Sequence, residues 1–550
     1  SKAIAKKLEE LGSLFAIQKI VHQYPHCWRC KDPIIYRATE QWFCSIDDIK
    51  DQTIEAINKV QFIPPWGQGR MINMVRDRSD WCISRQGTWG LPIPIFYCKS
   101  CGKHHVDEAS IQAVSDLFSK EGSDAWFTTE AADILPAGTK CKYCGGTELT
   151  KEKDIMDVWF DSGTSYASVI YDNPDLKWPV DLYLEGTDQY RGWFQSSLLT
   201  SIAWKGQAPY KSVCTHGWVV DGEGRKQSKS LGNGIEPSEI TDKYGADILR
   251  LWVASSDYHA DVRISQDILK QLSEVYRKIR NTARYIIGNI SDFDPNKDMV
   301  PFDQLTELDK WALAKFNNLI AIAKDAYDRY EFHLIYHALH NFCTIDMSNF
   351  YLDVIKDRLY VESADSKDRR AAQTTIYTIL RGLDMILAPM IPFTAEEIWS
   401  YMPEDANYDA DSVMFNEMPK VIEDLVDDAF MNKWERIHQV RDDVLKALEE
   451  ARNAKTIGKS LEAQVTLYCN EELYAFLSKV ENELAPVFIV SQVHLNKDGQ
   501  GQFTGNQEGL SVDVAKAECQ HCPLCWTYSN TVGTDAKHPD LCARCAEIIG

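Results

Sequence analysis

Lys226-Gln227-Ser228-Lys229-Ser230, followed by Leu231-Gly232-Asn233, places two lysines three residues apart among small polar residues. Ammonium groups on a loop can meet negative charge as it develops on a phosphate leaving group, and serine hydroxyls and loop amides add hydrogen bonds. The turn sequence Asp221-Gly222-Glu223-Gly224 comes just before it. Taken alone, such a pentamer is usually a basic surface loop; its weight comes from standing after a strand and before the helix that starts near Pro237. A second constellation runs from Tyr183 to Phe194. Glu185, Asp188 and Gln189 are acceptors for an amino group or a ribose, Gly186 lets a ligand approach the backbone, and Trp193 can wall an apolar pocket. A third is thiol-rich. Cys522-x-x-Cys525 and Cys542-x-x-Cys545, with sixteen residues between the pairs, have the spacing of a four-thiolate zinc site. Cys98-x-x-Cys101 and Cys141-x-x-Cys144, each followed by glycine, read as a second structural zinc site. Cys27 and Cys30 form a fifth pair with no further Cys-x-x-Cys pair in the sequence to join it, and Cys519 reads as unliganded.

The elements that must carry these groups are legible in outline. Asp181–Glu185 reads as a short apolar strand, Tyr190–Trp204 as a helix and Ser212–Val220 as the next strand. This βαβ pattern implies a parallel sheet, with Glu185 at a strand's C-terminal end, where open α/β sheets bind ligands. Residues 1–25 read as a helix and then a strand at Ser13–Ile17. From 266 to 425 the pattern is helical, with Leu269, Leu272, Tyr276 and Ile279 on one face. A helix capped by Thr394 follows Pro389 and Pro392, another helix covers 430–454, and Ala463–Cys469 and Val487–Leu495 read as strands of a small α/β module.

The 550 residues suffice for three to five domains, and 44% hydrophobic content supports sizeable cores. A net charge of −22 excludes indiscriminate nucleic-acid binding, though local basic faces exist at Arg277, Lys278, Arg280 and Arg284 and at Lys367, Arg369 and Arg370. Either cluster by itself reads as a solvated helix face. There is no apolar run of about 18 residues and no secretory signal, so a transmembrane helix is not expected. Ten of the 16 cysteines fall in Cys-x-x-Cys pairs, which points to zinc and a reducing compartment, and the expected localisation is cytoplasmic.

The Lys226–Ser230 loop resembles the Lys-Met-Ser-Lys-Ser loop of class I aminoacyl-tRNA synthetases, with Gln227 in place of methionine. The Tyr183–Phe194 segment, Asp157-Val158-Trp159-Phe160-Asp161-Ser162-Gly163, Thr215-His216-Gly217-Trp218 and Lys356-Asp357-Arg358-Leu359-Tyr360 resemble isoleucyl-tRNA synthetases in particular. So do Tyr276–Thr282, Ile457–Ala463 and Asp80–Gln86 with Trp89-Gly90, with Ser79 and Gly87 departing from the family pattern. Trp526 follows the second cysteine of the last knuckle as in many bacterial members, with Leu524 replacing arginine. The resemblance implies that Lys226 and Lys229 are catalytic and bind ATP together with Ser228, His216 and Gly217. It implies that Glu185, Gly186, Asp188, Gln189, Trp193 and Trp159 hold the aminoacyl-adenylate, and that the zinc is structural. ATP with Mg2+, isoleucine and tRNA(Ile) are the implied substrates.

No His-Ile-Gly-His segment occurs in the sequence. The expectation is therefore the C-terminal portion of such an enzyme, a monomer needing an N-terminal half as partner, unable to edit and inactive alone. Editing matters because one methylene separates isoleucine from valine, a difference of roughly 1–3 kcal/mol in a pocket; this family is itself the standard illustration of that limit. The expected fold is α/β plus all-α. It comprises the tail of an editing insertion (1–25), a connective region with a zinc ribbon (26–155) and the second half of a Rossmann-like catalytic domain (156–265). A helical anticodon-binding bundle (266–425), an α/β junction module (426–510) and a zinc knuckle (511–550) follow. A valyl-tRNA synthetase shares the loop and fold, but the terminal knuckle and Lys455–Ala463 argue against it. A non-catalytic tRNA-binding fragment and a plain zinc scaffold are the rivals from other classes.

Overall fold

The computed structural model describes residues 2–27, 30–228 and 231–550, and the chain divides into two compact units, Ser1–Thr215 and His216–Gly550. Lys229 and Ser230, and Trp28 and Arg29 between Cys27 and Cys30, lie outside the described residues.

In the first unit, strand Tyr210–His216 lies between Gln61–Ile63 and Val180–Gly186 in a three-stranded sheet. Ser212, Val213 and Cys214 pair in parallel with Gln61, Phe62 and Ile63. Helix Trp193–Lys205 packs Phe194, Leu198 and Ile202 into a core with Phe62, Met71 and Val213. The helix is buried on most of its faces, with the polar residues Gln195, Ser196, Ser197 and Ser201 buried beside the apolar ones. A 3₁₀ turn, Thr187–Arg191, occupies what reads from sequence as its first turn. The helix stops at Gly206, which takes a left-handed conformation. A second small sheet sets Phe96–Cys98 antiparallel to both His104–His105 and Leu149–Lys151, around a separate core of Phe96, Val114, Trp126 and Leu135. The strand expected at Ser13–Ile17 does not form. Helix Lys2–Glu10 is followed by extended chain in which Phe15 and Val21 are fully exposed. A strand is held by a partner's backbone, and none is offered there among the described residues.

The second unit opens where strand Tyr210–His216 ends. The strand expected to reach Val220 breaks at Gly217-Trp218, and Val219–Val220 pairs instead with Val262–Arg263. Helix Gln266–Asn289 buries Leu269, Leu272 and Ile279 against Glu307–Asp328, Phe332–Asn341 and Lys367–Leu387. From Phe342 to Tyr351 the backbone widens into a π-helix, which interrupts the helical pattern expected over 266–425. Helix Pro392–Ser400 is not capped by Thr394, which sits inside its first turn. The buried Asp247 carboxylate accepts from both the Thr394 amide and its hydroxyl, doing the capping from another helix. Helix Asp428–Asn453 leads into a sheet in which Ala463–Cys469 pairs in parallel with Gln492–Asn496 and antiparallel with Leu510–Lys516. The strand expected from Val487 starts only at Gln492, because Glu481–Phe488 is helical.

Candidate active site and metal centres

In the first unit, the apolar faces of the sheet and of helix Trp193–Lys205 fix the Val180–Gly186 strand end. Trp193 stacks on Tyr183 at 4.1 Å between ring centroids and an interplanar angle of 13°. Its Nε1 donates to the Ser162 carbonyl at 3.0 Å and to Ser165 Oγ at 3.2 Å. Gln189 Oε1 accepts from the Trp193 amide at 3.0 Å, and Gln189 Nε2 donates to Asp188 Oδ2 at 3.0 Å. A Cβ on Gly192 would lie 2.5 Å from Gln189 Oε1 and 2.9 Å from the Trp159 ring, so the absence of a side chain there is what lets these groups meet. Trp159, Gln189 and Trp193 thus come together around Gly192, and Asp188 is tied to them through Gln189. Glu185 is exposed, and one of its oxygens accepts from the Gly186 amide at 3.3 Å.

Asp157 is buried, and one oxygen accepts from Trp81 Nε1 at 2.9 Å while Arg85 pairs with it at 3.0 Å. It fixes the helix that carries Trp159 rather than facing a ligand. Burial, with Asp157 nearby, pushes the Asp161 carboxyl up.

In the second unit, His216 closes its strand with Nδ1 2.8 Å from the Gly217 carbonyl oxygen. A Cβ on Gly217 would lie 2.3 Å from the Ala260 carbonyl oxygen. This close passage, together with the Gly217 amide donating to the Tyr258 carbonyl at 2.9 Å, makes glycine obligatory. The Lys226 loop is built around Asp221. Its carboxylate accepts from Asn233 Nδ2 at 2.9 Å, the Arg225 amide and Nε at 2.8 Å each, and the Glu223 amide at 3.0 Å. Those bonds, the one from Asn233 foremost, hold its carboxyl far below the usual range. Asn233 Oδ1 in turn accepts from the Ser228 amide at 2.9 Å. Lys226 is exposed, bridged through its backbone to Val220. Gln227 Nε2, by contrast, is buried and has no hydrogen-bond partner among the described residues. The lysines stand out in the sequence; Asp221 and Asn233, which shape their loop, read from sequence only as turn and flank.

The thiols of Cys98, Cys101, Cys141 and Cys144 lie within 4.8 Å of one another, as do those of Cys522, Cys525, Cys542 and Cys545. Both sets fit a tetrahedral thiolate-bound ion, and among the described residues no carboxylate or histidine joins either. The second set is fully buried. Amides of Cys101 and Ser100 point at Cys98 and bring its thiol down to about 6. Backbone amides, those of Cys525 and Cys542 first, do the same for Cys522, outweighing its burial. Thiols primed to ionise beside others held protonated are what a metal converts to four thiolates. Cys519 stands outside the cluster and accepts from Gln492 Nε2.

A cavity of about 780 Å³ opens between bundle, module and knuckle, with Lys356, Tyr360, Gln492, Trp526, Tyr528 and Arg544 in its walls. Of the basic clusters, Arg369 and Arg370 are three-quarters or more buried and paired with Asp292, a structural role rather than a solvated face. Arg280 pairs with Glu397, and Arg284 lines a small cavity beside Tyr401.

Comparison with known proteins decides the family. Residues 10–265 match tRNA synthetases class I (I, L, M and V), 309–467 match the anticodon-binding domain of tRNA ligase, and 520–548 match the zinc finger found in FPG and IleRS. The isoleucine–tRNA ligase of Caldanaerobacter subterraneus subsp. tengcongensis is 53% identical over the whole chain, and that of Carboxydothermus hydrogenoformans 54%. The chain belongs to the isoleucine–tRNA ligase family of class I synthetases. It spans 59% of the length of both relatives. A Mycobacterium tuberculosis methionyl-tRNA synthetase with methionyl-adenylate shares the fold at a TM-score of 0.51 and 17% identity, over 71% of this chain and 68% of that one. Among the described residues no helix is long and apolar enough to cross a membrane.

Proposed function

We propose that this chain is the portion of an isoleucine–tRNA ligase that supplies the Lys226–Ser230 loop, the adenylate-facing segment and the tRNA-reading domains. The observation that carries this is full-length alignment at 53% identity together with an intact Asp221–Asn233 scaffold under the Lys226 loop. The isoleucine carboxylate attacks the α-phosphate of ATP in line and pyrophosphate leaves; a tRNA hydroxyl then attacks the adenylate carbonyl and AMP leaves. Lys226 and Lys229 meet the charge gathering on pyrophosphate, and His216 and Gly217 border the adenosine. Glu185, Gly186, Asp188 and Gln189 receive the amino group and ribose, with Trp159 and Trp193 as the apolar wall. No covalent enzyme intermediate is required, and catalysis is positioning plus charge stabilisation.

In this reading tRNA(Ile) binds the second unit. Trp526 and Tyr528 in the 780 Å³ cavity offer stacking faces for an unstacked base, and Lys356 offers a cation for the backbone. Zinc in the two thiol clusters holds their loops and does no chemistry on the substrate. An N-terminal half bearing the remaining catalytic signature completes the site, in the cytoplasm and as a monomeric enzyme.

The test is isoleucine-dependent ATP–pyrophosphate exchange with the chain alone and mixed with a separately made N-terminal half. Exchange only in the mixture supports the reading. Exchange by the chain alone removes the need for a partner segment. Silence in both, with tRNA binding retained, leaves a tRNA-binding module in its place.

A further inference from the structure

Arg544 lies in the short helix Ala543–Ile549, two positions after Cys542 and one before Cys545. Its two terminal nitrogens donate to the two oxygens of Asp357 at 2.7 and 2.8 Å, a parallel fork. Asp357 belongs to the bundle, in helix Lys356–Tyr360. Val361, just after that helix, belongs to the same buried cluster as Cys522, Cys525, Cys542 and Cys545. The bundle therefore meets the knuckle through one apolar and one charged contact, the two partners of the charged one standing 187 residues apart in sequence.

Both partners of the pair remain partly exposed, at 47% and 38%, and an exposed ion pair by itself contributes little. The cluster changes that assessment. Four thiolates around a divalent zinc leave a net charge of −2, and these four are buried. A buried net charge is costly unless a counter-charge stands beside it. Arg544 stands between the ligands Cys542 and Cys545 in sequence and lines the same cavity as Cys525 and Cys542. The fork to Asp357 fixes where the guanidinium stands.

We propose that Arg544 is the charge-compensating residue of the Cys522–Cys525–Cys542–Cys545 zinc centre and that Asp357 positions it. Metal retention in the knuckle then depends on its seating against the helical bundle. The proposal concerns the knuckle's own chemistry and stands apart from the aminoacylation reading.

The test is zinc release from the full, zinc-loaded chain under excess chelator. It is followed by N-ethylmaleimide alkylation and peptide mapping, which reads each cysteine separately. Two internal references come with the chain: the Cys98–Cys144 cluster, and Cys343, a thiol buried in the bundle core. Asp357→Asn and Arg544→Gln are expected to speed alkylation of the four knuckle thiols about tenfold, leaving both references unchanged. The charge swap Asp357→Arg with Arg544→Asp restores the pair but sets a carboxylate beside the thiolates. It is expected to release zinc at least as fast as Arg544→Gln. Parental rates in the single variants would overturn the proposal, as would acceleration shared by Cys343. Rescue by the swap would overturn the charge-compensating role, because a merely structural bridge is indifferent to its polarity.

Discussion

Gln227 occupies the position where the family's loop carries methionine, and its amide nitrogen is buried without a partner among the described residues. An unsatisfied buried amide costs about 1–3 kcal/mol, so Gln227→Met is expected to stabilise the loop by that order, read as slower proteolysis at Lys226 and Lys229. Gly217 has the opposite character. An alanine there meets the Ala260 carbonyl at 2.3 Å, and the backbone must move to admit it. Gly217→Ala is expected to lower ATP–pyrophosphate exchange of the complemented enzyme tenfold or more, with little change in tRNA binding; equal loss of both would place the damage in the fold. Asp384 is buried in helix Lys367–Leu387 with neither oxygen hydrogen-bonded among the described residues, and burial, with Glu396 nearby, pushes its carboxyl up to about 9. Folding therefore favours the protonated acid. Its contribution is fully present below the ordinary carboxylate value near 4 and is lost as pH rises toward about 9. Asp384→Asn is expected to be more stable than the parent at pH 8 and closer to it at pH 4, measured by urea unfolding at both.

At the scale of elements, what was legible from sequence was local. Alternation marked Ala463–Cys469 and period-3.6 spacing marked Gln266–Asn289, because one buried face writes its period directly into the residues. Pairings between distant segments left no such trace. Asp247 capping the helix of Thr394, the knuckle's Arg544 on Asp357, and strand Leu510–Lys516 are long-range choices that no short window encodes. The four-thiol sets were legible because metal geometry dictates spacing; the hydrogen-bond scaffold around Asp221 was not, because aspartate and asparagine serve any turn. The Lys356–Tyr360 motif shows the same limit. Its residues were recognisable, while their work lies in partners far away. Arg358 forks onto Asp309 at 2.8 and 2.9 Å, and Asp309 is fully buried and also accepts from Tyr351. Arg358→Ala strands that carboxylate and is expected to cost about 3–5 kcal/mol in chemical unfolding. Asp309→Asn in the same background is expected to recover part of the loss.

For the whole molecule, each compact unit holds one four-thiol cluster, so chelation acts on both. Metal removal is expected to open the two knuckles while most helical signal in far-ultraviolet circular dichroism persists, because the bundle core of Leu269, Ile376 and Leu380 does not include the cysteine ligands. Loss of the helical signal in step with zinc would contradict this.

The sheet of the first unit has a different consequence. Gln61–Ile63 and Val180–Gly186 are its outer strands, and among the described residues neither has a further neighbour. Each presents a row of backbone donors and acceptors with nothing opposite, which is a template for another chain. Purified by itself, the protein would then be expected to self-associate by edge-to-edge strand addition, with solubility falling as concentration rises. A polypeptide that adds a strand to that sheet would act first as a solubilising companion, before any contribution to chemistry.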